Sequence, residues 1–285
     1  MFMENKEYIG VVGLVLTSAL WGFAYIAADF ALEGFSPLLV SAYRFYIAFV
    51  IMLCFKRKKI KEISISDIRL SLLPSIAMFL VFVLQIYGLK YSTASRNAFL
   101  IATNVAFVPF VSKMMYDERI IAKSLFAGFI SFQGGDIGAS SLFGDLLSLG
   151  AGIATAFMIV FNGNRVKRID FEKLEIIEMG IVSLLFLIFQ MLMPKESVGI
   201  ISKSAILGLI YLGLAGTALC FMILTYSQEY LSETKASIIL STEAVFALLF
   251  SLIFIGEKIR SEALIGSFLI LLAALVSQIE FKRKG

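Results

Sequence analysis

From Tyr8 almost to the C-terminus the chain is a succession of apolar runs of about 20 residues, separated by loops too short to fold as an aqueous domain. A run of that length is what an α-helix needs to cross the hydrocarbon of a bilayer. The apolar share of the 285 residues, 59%, exceeds the roughly 45–50% of soluble domains. With a mean hydropathy of +0.91, this makes the chain an all-α membrane protein. The first run follows a polar start with one lysine and no small-residue cleavage site, so it reads as a retained helix.

Apolar runs and breaks together predict ten transmembrane helices: Tyr8 to Ala28, Pro37 to Phe55, Arg69 to Leu89, Ala94 to Tyr116, Ile121 to Ile137, Leu142 to Phe161, Leu174 to Met193, Ser204 to Tyr226, Thr234 to Ile255 and Ser261 to Ile279. With the N-terminus inside, 18 basic residues fall on the inner side, among them the run KRKKIK at Lys56–Lys61 and the terminal Lys282, Arg283 and Lys284. Six fall outside: Lys90, Arg96, Lys195, Lys203, Lys258 and Arg260. Because basic loops resist translocation, both termini are expected in the cytoplasm, in a multi-pass protein of the plasma membrane.

The chain also repeats itself. Shifted by 139 positions, the distance from Tyr87 to Tyr226, the segment from Tyr87 to Ile120 falls on that from Tyr226 to Ile259 without a gap. Tyr91/Tyr230, Thr103/Thr242, Phe107/Phe246, Ser112/Ser251 and Glu118/Glu257 coincide. Coincident polar and aromatic positions in apolar helices point to duplication. An odd number of helices per unit makes the two five-helix repeats, residues 1–138 and 139–285, inverted in the membrane. Inverted repeats place a substrate site near the midplane and permit alternating access.

Several stretches form one pattern: SALWGFAYIAADFAL from Ser18, SAYRFYIAFVIML from Ser41, GDLLSL from Gly144, YLGLAGTALCFMILTYS from Tyr211 and STEAVFALLFSLIFIGEKI from Ser241. Their order and spacing resemble the EamA-type transporters of the drug/metabolite transporter superfamily over nearly the whole chain. The resemblance implies a ten-helix secondary transporter with a central cavity that moves small metabolites, often amino acids or their relatives and often outward. This chain departs from the family pattern at three places. The prolines common after the acid of the ninth helix and at its equivalent in the fourth are Ala244 and Val105, and a tryptophan expected in the sixth is Thr155. Without those prolines a helix break at that level has no sequence signal, although Pro109 lies one turn later.

Candidate site residues are the polar and aromatic ones inside the spans. A charge at a helix centre costs about 2.5–3.5 kcal/mol on insertion scales, so Glu243 needs a partner or cavity water. It is the candidate for binding a substrate ammonium and for proton coupling. Asn104 is its counterpart at the 139 offset, a second substrate contact or interhelical glue. At the offset of 134 that pairs Trp21 with Thr155, Arg44 pairs with Glu178. Arg44 and Glu178 could form a structural ion pair; alternatively Arg44 grips a substrate carboxylate with its guanidinium fork, or snorkels to the interface. Trp21, Tyr25, Tyr87, Tyr211 and Tyr226 are aromatic candidates for stacking on substrate. Asp29 and Glu33 are expected at the outer mouth, and Asp136 at the interface.

Other chemistries lack their residues. The absence of histidine removes imidazole ligands and relays, and Cys54 and Cys220 have neither disulfide nor metal spacing. The motif QGGD at Gln133 is not a phosphate loop, since no lysine and serine or threonine follow it. No metal, cofactor, nucleic acid or enzymatic activity is expected. The partners are a small-molecule substrate and the lipid bilayer, and the protein is a monomer or weak homodimer. The glycines of LGLAGTA and GAGIA serve close helix packing. The reading is thus a secondary transporter exporting amino acids or amines by alternating access. Its rivals are uptake or facilitated exchange of another solute, a nucleoside or quaternary amine, and a non-transporting sensor or scaffold. Cysteine labelling or reporter fusions should find both termini and the Lys56–Lys61 loop in the cytoplasm; an external C-terminus would contradict the ten-helix arrangement.

Overall fold

The computed structural model describes residues 2–116, 142–193 and 199–257, together with Ile265, Ser267 and Phe268. Its regular elements are α1 (Phe2–Gly34), α2 (Pro37–Phe55), α3 (Arg57–Ile60), α4 (Ile65–Lys90), α5 (Ala94–Ala102), α6 (Asn104–Tyr116), α7 (Leu142–Arg165), α8 (Phe171–Leu192), α9 (Lys203–Gly213), a π-helical segment (Leu214–Leu219), α10 (Cys220–Gln228), α11 (Glu233–Leu240) and α12 (Glu243–Phe254). Among the described residues there is no strand. Eight spans are long and apolar enough to cross a membrane, and they coincide with eight of the ten helices expected from the sequence. The other two, Ile121 to Ile137 and Ser261 to Ile279, lie outside the described residues, as do Asp136 and the expected repeat boundary at 138 and 139.

Each span turns one face to protein and leaves another bare. On α4, Ser71, Ser75, Met78 and Phe82 are buried at helical spacing, while Leu72, Leu73, Ile76 and Leu80 are exposed. The bare face is as apolar as the covered one, because lipid tails and not water are its solvent. Packing then depends on shape. A Cβ on Gly22 would lie 2.4 Å from Phe246 Cβ and 2.8 Å from the Ala247 backbone nitrogen, so α1 and α12 meet with no room for a methyl group. That approach brings the α1 aromatics to Glu243.

Helix starts are fixed by their capping residues. Ser64 makes a reciprocal capping box with Asp67, Asp170 accepts from the N–H groups of Glu172 and Lys173, and Thr93, Ser202 and Ser232 each accept an N–H of the first turn. Ion pairs gather at the two ends of the bundle. At the end carrying the basic run, Lys59 meets Asp170 at 2.8 Å, Lys167 meets Glu233 at 3.2 Å, and Lys56 and Lys235 pair with Glu172 and Glu7. At the other end Arg96 holds Asp145 through two hydrogen bonds of 2.8 Å.

Two spans are interrupted where the sequence carried no proline signal. The fourth breaks at Thr103, between α5 and α6, and the one before Glu243 breaks at Ser241 and Thr242, between α11 and α12. At both, the helix tightens, with Thr103 N–H bonding Leu100 O at 3.3 Å and Thr242 N–H bonding Ile239 O at 3.1 Å. Hydroxyls take the same carbonyls: Thr103 Oγ1 donates to Leu100 O at 2.6 Å and Thr242 Oγ1 to Ile239 O at 2.7 Å. Ser241 Oγ donates to Ile238 O at 2.7 Å. Threonine and serine hydroxyls thus share the helix's own acceptors at both breaks. They lie 139 positions apart, the offset at which the sequence repeats.

Because the contact at Gly22 is against backbone as well as Phe246, α1 would have to shift to accept a methyl group. Gly22→Ala should therefore lower stability by about 1–3 kcal/mol, read by thermal unfolding of the purified protein. An unchanged or raised melting temperature would show that the α1–α12 contact is loose.

Candidate functional site

The break before α12 decides where Glu243 points. Glu243 is the first residue of that half-helix, the end at which the helix dipole favours a negative charge. It is buried, 6% exposed, and its Oε1 accepts a hydrogen bond from Tyr25 Oη at 3.4 Å. No lysine or arginine pairs with it among the described residues. Its sequence counterpart Asn104 turns inward instead, donating from Nδ2 to Ile101 O at 2.9 Å in its own span.

Arg44 is held by a second irregularity. Between α9 and α10 the helix widens to a π turn over Leu214–Leu219. Such a turn disturbs the i to i−4 ladder and leaves acceptor capacity on its carbonyls. Gly216 O takes two donors there, Trp21 Nε1 at 2.9 Å and Arg44 Nη2 at 3.1 Å. Arg44 Nε donates to Thr217 Oγ1 at 2.8 Å, and the guanidinium stands 4.4 Å from the centre of the Phe82 ring. At 5% exposure, Arg44 does not snorkel. The ion pair expected between Arg44 and Glu178 is not formed. Glu178 lies on α8 and accepts from Asn162 Nδ2 at 3.2 Å, while the π turn claims Arg44.

Both charged residues line one cavity. Trp21, Tyr25 and Ala28 of α1, Arg44 of α2, Phe82 and Gln85 of α4, Ile101 of α5, Thr155 and Met158 of α7, Phe221 of α10 and Glu243 of α12 form its wall. Arg44 and Glu243 share this space without pairing with each other. An acid and a base held apart in a largely apolar cavity can be bridged by a molecule carrying both opposite charges.

Of the aromatic candidates, Trp21 and Tyr25 line the cavity. Tyr211 instead donates from its hydroxyl to Leu20 O at 2.9 Å, supporting α1 from behind. Tyr226 packs edge-on against Phe171 and Tyr230, and Tyr87 packs against the core beside Lys90. Sequence reasoning passed over Gly216 and Thr217, which read as packing residues, and Gln85, Phe82 and Phe221. Gln85 carried a signal, a lone amide within an apolar run, whereas the phenylalanines are hidden among 27 others.

A helical membrane protein with opposite charges and aromatic rings around a buried cavity belongs to the class of multi-pass carriers. The model of the EamA-like transporter family matches residues 8–134 and 142–278, and the chain belongs to that family. It is similar to an uncharacterized transporter of Archaeoglobus fulgidus, 30% identical over 282 residues that cover 95% of this chain and 86% of the relative. It is also similar to the uncharacterized transporter YoaV of Bacillus subtilis, 24% identical over 290 residues covering 96% and 98%. A solved structure described as the crystal structure of a protein shares the fold, with a TM-score of 0.76 at 16% identity over 98% of both chains.

Thr217→Val keeps the shape of the threonine and removes the acceptor for Arg44 Nε. A buried donor left unpaired costs about 1–3 kcal/mol, so this variant should melt lower than the parent, whereas Thr217→Ser should restore stability. Equal melting of all three would show that Arg44 does not depend on the π turn.

Proposed function

We propose that this protein is a secondary transporter that exports amino acids or closely related amines by alternating access across the plasma membrane. The observation that carries the reading is the separation of Arg44 and Glu243 across one cavity. The guanidinium offers a planar fork suited to a carboxylate. Its Nη1 makes no hydrogen bond among the described residues, so three of the five N–H donors, two on Nη1 and one on Nη2, remain for a ligand. Glu243 and the Tyr25 hydroxyl are suited to an ammonium group. Trp21, Phe82 and Phe221 give the apolar part of a small metabolite a surface to pack on, and Thr155 leaves space where the family pattern has a tryptophan.

Export coupled to proton entry follows from one carboxylate serving two cations. When Glu243 holds a proton it cannot hold an ammonium, and the reverse, so the two exchange at one site and travel in opposite directions. The broken spans at Thr103 and at Ser241–Thr242 provide half-helices that can tilt against each other, the movement that alternating access requires. The ten-helix, two-repeat arrangement with both termini cytoplasmic supplies the frame for this movement.

In proteoliposomes with an imposed pH gradient, Glu243→Gln should fold and insert normally yet lose the pH dependence of amino-acid flux. Arg44→Lys, which keeps the charge and loses the fork, should weaken substrate binding by about tenfold or more. Flux by Glu243→Gln with an unchanged pH profile would make the acid structural and overturn the antiport reading.

A further inference from the structure

Below the cavity lies a second polar group that the transport site does not use. Three helices each contribute two residues one turn apart: Ile159 and Asn162 on α7, Glu175 and Glu178 on α8, Thr225 and Gln228 on α10. Three hydrogen bonds, one between each pair of helices, join them in a ring that the helices close. Asn162 Nδ2 donates to Glu178 Oε2 at 3.2 Å, Thr225 Oγ1 donates to Glu175 Oε1, and Gln228 Nε2 donates to Ile159 O at 3.0 Å. None of the six residues is more than 1% exposed. Two carboxylates are thus enclosed with no lysine or arginine paired to either among the described residues.

The ring's unused atoms are all oxygens. Glu175 Oε2, Glu178 Oε1, Asn162 Oδ1 and Gln228 Oε1 are buried and accept no hydrogen bond within the described protein. A buried oxygen without a donor carries a desolvation cost, which a cation held among these four oxygens would relieve. We propose that this ring is a binding site for a small alkali cation, Na+, separate from the substrate cavity. Carboxylate and amide oxygens are the donors that hard cations take. Four free oxygens fall short of the 6–8 that Ca2+ collects, and Mg2+ retains several waters of its own. No group of three or more Asp, Glu, Cys or His side chains occurs among the described residues, so the soft or nitrogen-rich donor set of a transition-metal site is not built here.

Position gives the site a purpose. Met158 and Phe221 line the cavity, and Asn162 and Thr225 lie one turn further along the same helices, toward the end with the basic run. A cation in the ring would bind α7, α8 and α10 together directly beneath the cavity floor, and its departure would free them to separate. Na+ occupancy would thereby bias which side the cavity opens to.

The test is thermal unfolding and equilibrium binding of 22Na+ on the purified full-length protein, in NaCl, KCl or choline chloride at equal ionic strength. Saturable stabilisation by Na+, with one ion bound per chain, is expected. Glu178→Gln and Glu175→Gln should weaken half-saturation by about tenfold or more. Should either glutamine variant fail to fold, Gln228→Met removes one ligand without touching the carboxylates and should weaken Na+ binding likewise. Glu243→Gln in the cavity should leave the Na+ effect intact, so failure of the transport reading and failure of this one are distinguishable. Equal stability in all three salts, a Na+ effect that survives every ring variant, or stabilisation by Ca2+ or Mg2+ instead of Na+ would each overturn the proposal.

Discussion

Hydrocarbon offers no hydrogen bonds, so every backbone N–H and C=O inside the bilayer must be satisfied by the protein itself. The features that make this molecule more than a bundle occur where a helix departs from its ladder and side chains take up the freed groups. At the π turn, Gly216 O receives Trp21 and Arg44, and Thr217 receives the Arg44 Nε. At the two breaks, the hydroxyls of Thr103, Ser241 and Thr242 add a second bond or a first to carbonyls of the preceding turn. Two of these irregularities fix cavity residues. The π turn anchors Arg44 and Trp21, and the break at Thr242 places Glu243 at a half-helix start aimed at Tyr25.

Much of this fold was legible in the sequence because lipid imposes a coarse, length-based signal. Runs of about 20 apolar residues and the coincident polar positions at an offset of 139 are readable without packing information. The breaks were not. Proline is the familiar interrupter, and Ala244 and Val105 gave no warning; what stands at the interruptions is hydroxyls, which most often sit in membrane helices without breaking them. The π turn was hidden for a similar reason, since LGLAGTA has the composition of an ordinary close-packing segment.

The site was legible in part. Glu243 and Arg44 stood out because charge in a span is costly, and Trp21 because it is the sole tryptophan. Which partner each would take depended on rotation about helix axes that periodicity does not set. Arg44 turned toward α10's π turn and away from Glu178, and Asn104 bonded its own span, so offset arithmetic identified related positions without establishing contact. Glu175 escaped attention because it lies only a turn inside α8, where an acid in sequence reads as interfacial; only the packing of α7 and α10 encloses it.

The central claim is that the cavity recognises opposite charges on one small molecule. Its most direct measurement compares, on the same purified protein, the affinity of an amino acid with those of its decarboxylated amine and its deaminated acid. Each lost charge removes a hydrogen-bonded ionic contact, so the amino acid should bind about 10-fold to 100-fold tighter than either analogue. Equal affinity for the amine and the amino acid would contradict it, leaving Arg44 as a strut of the π turn and not a part of the binding site.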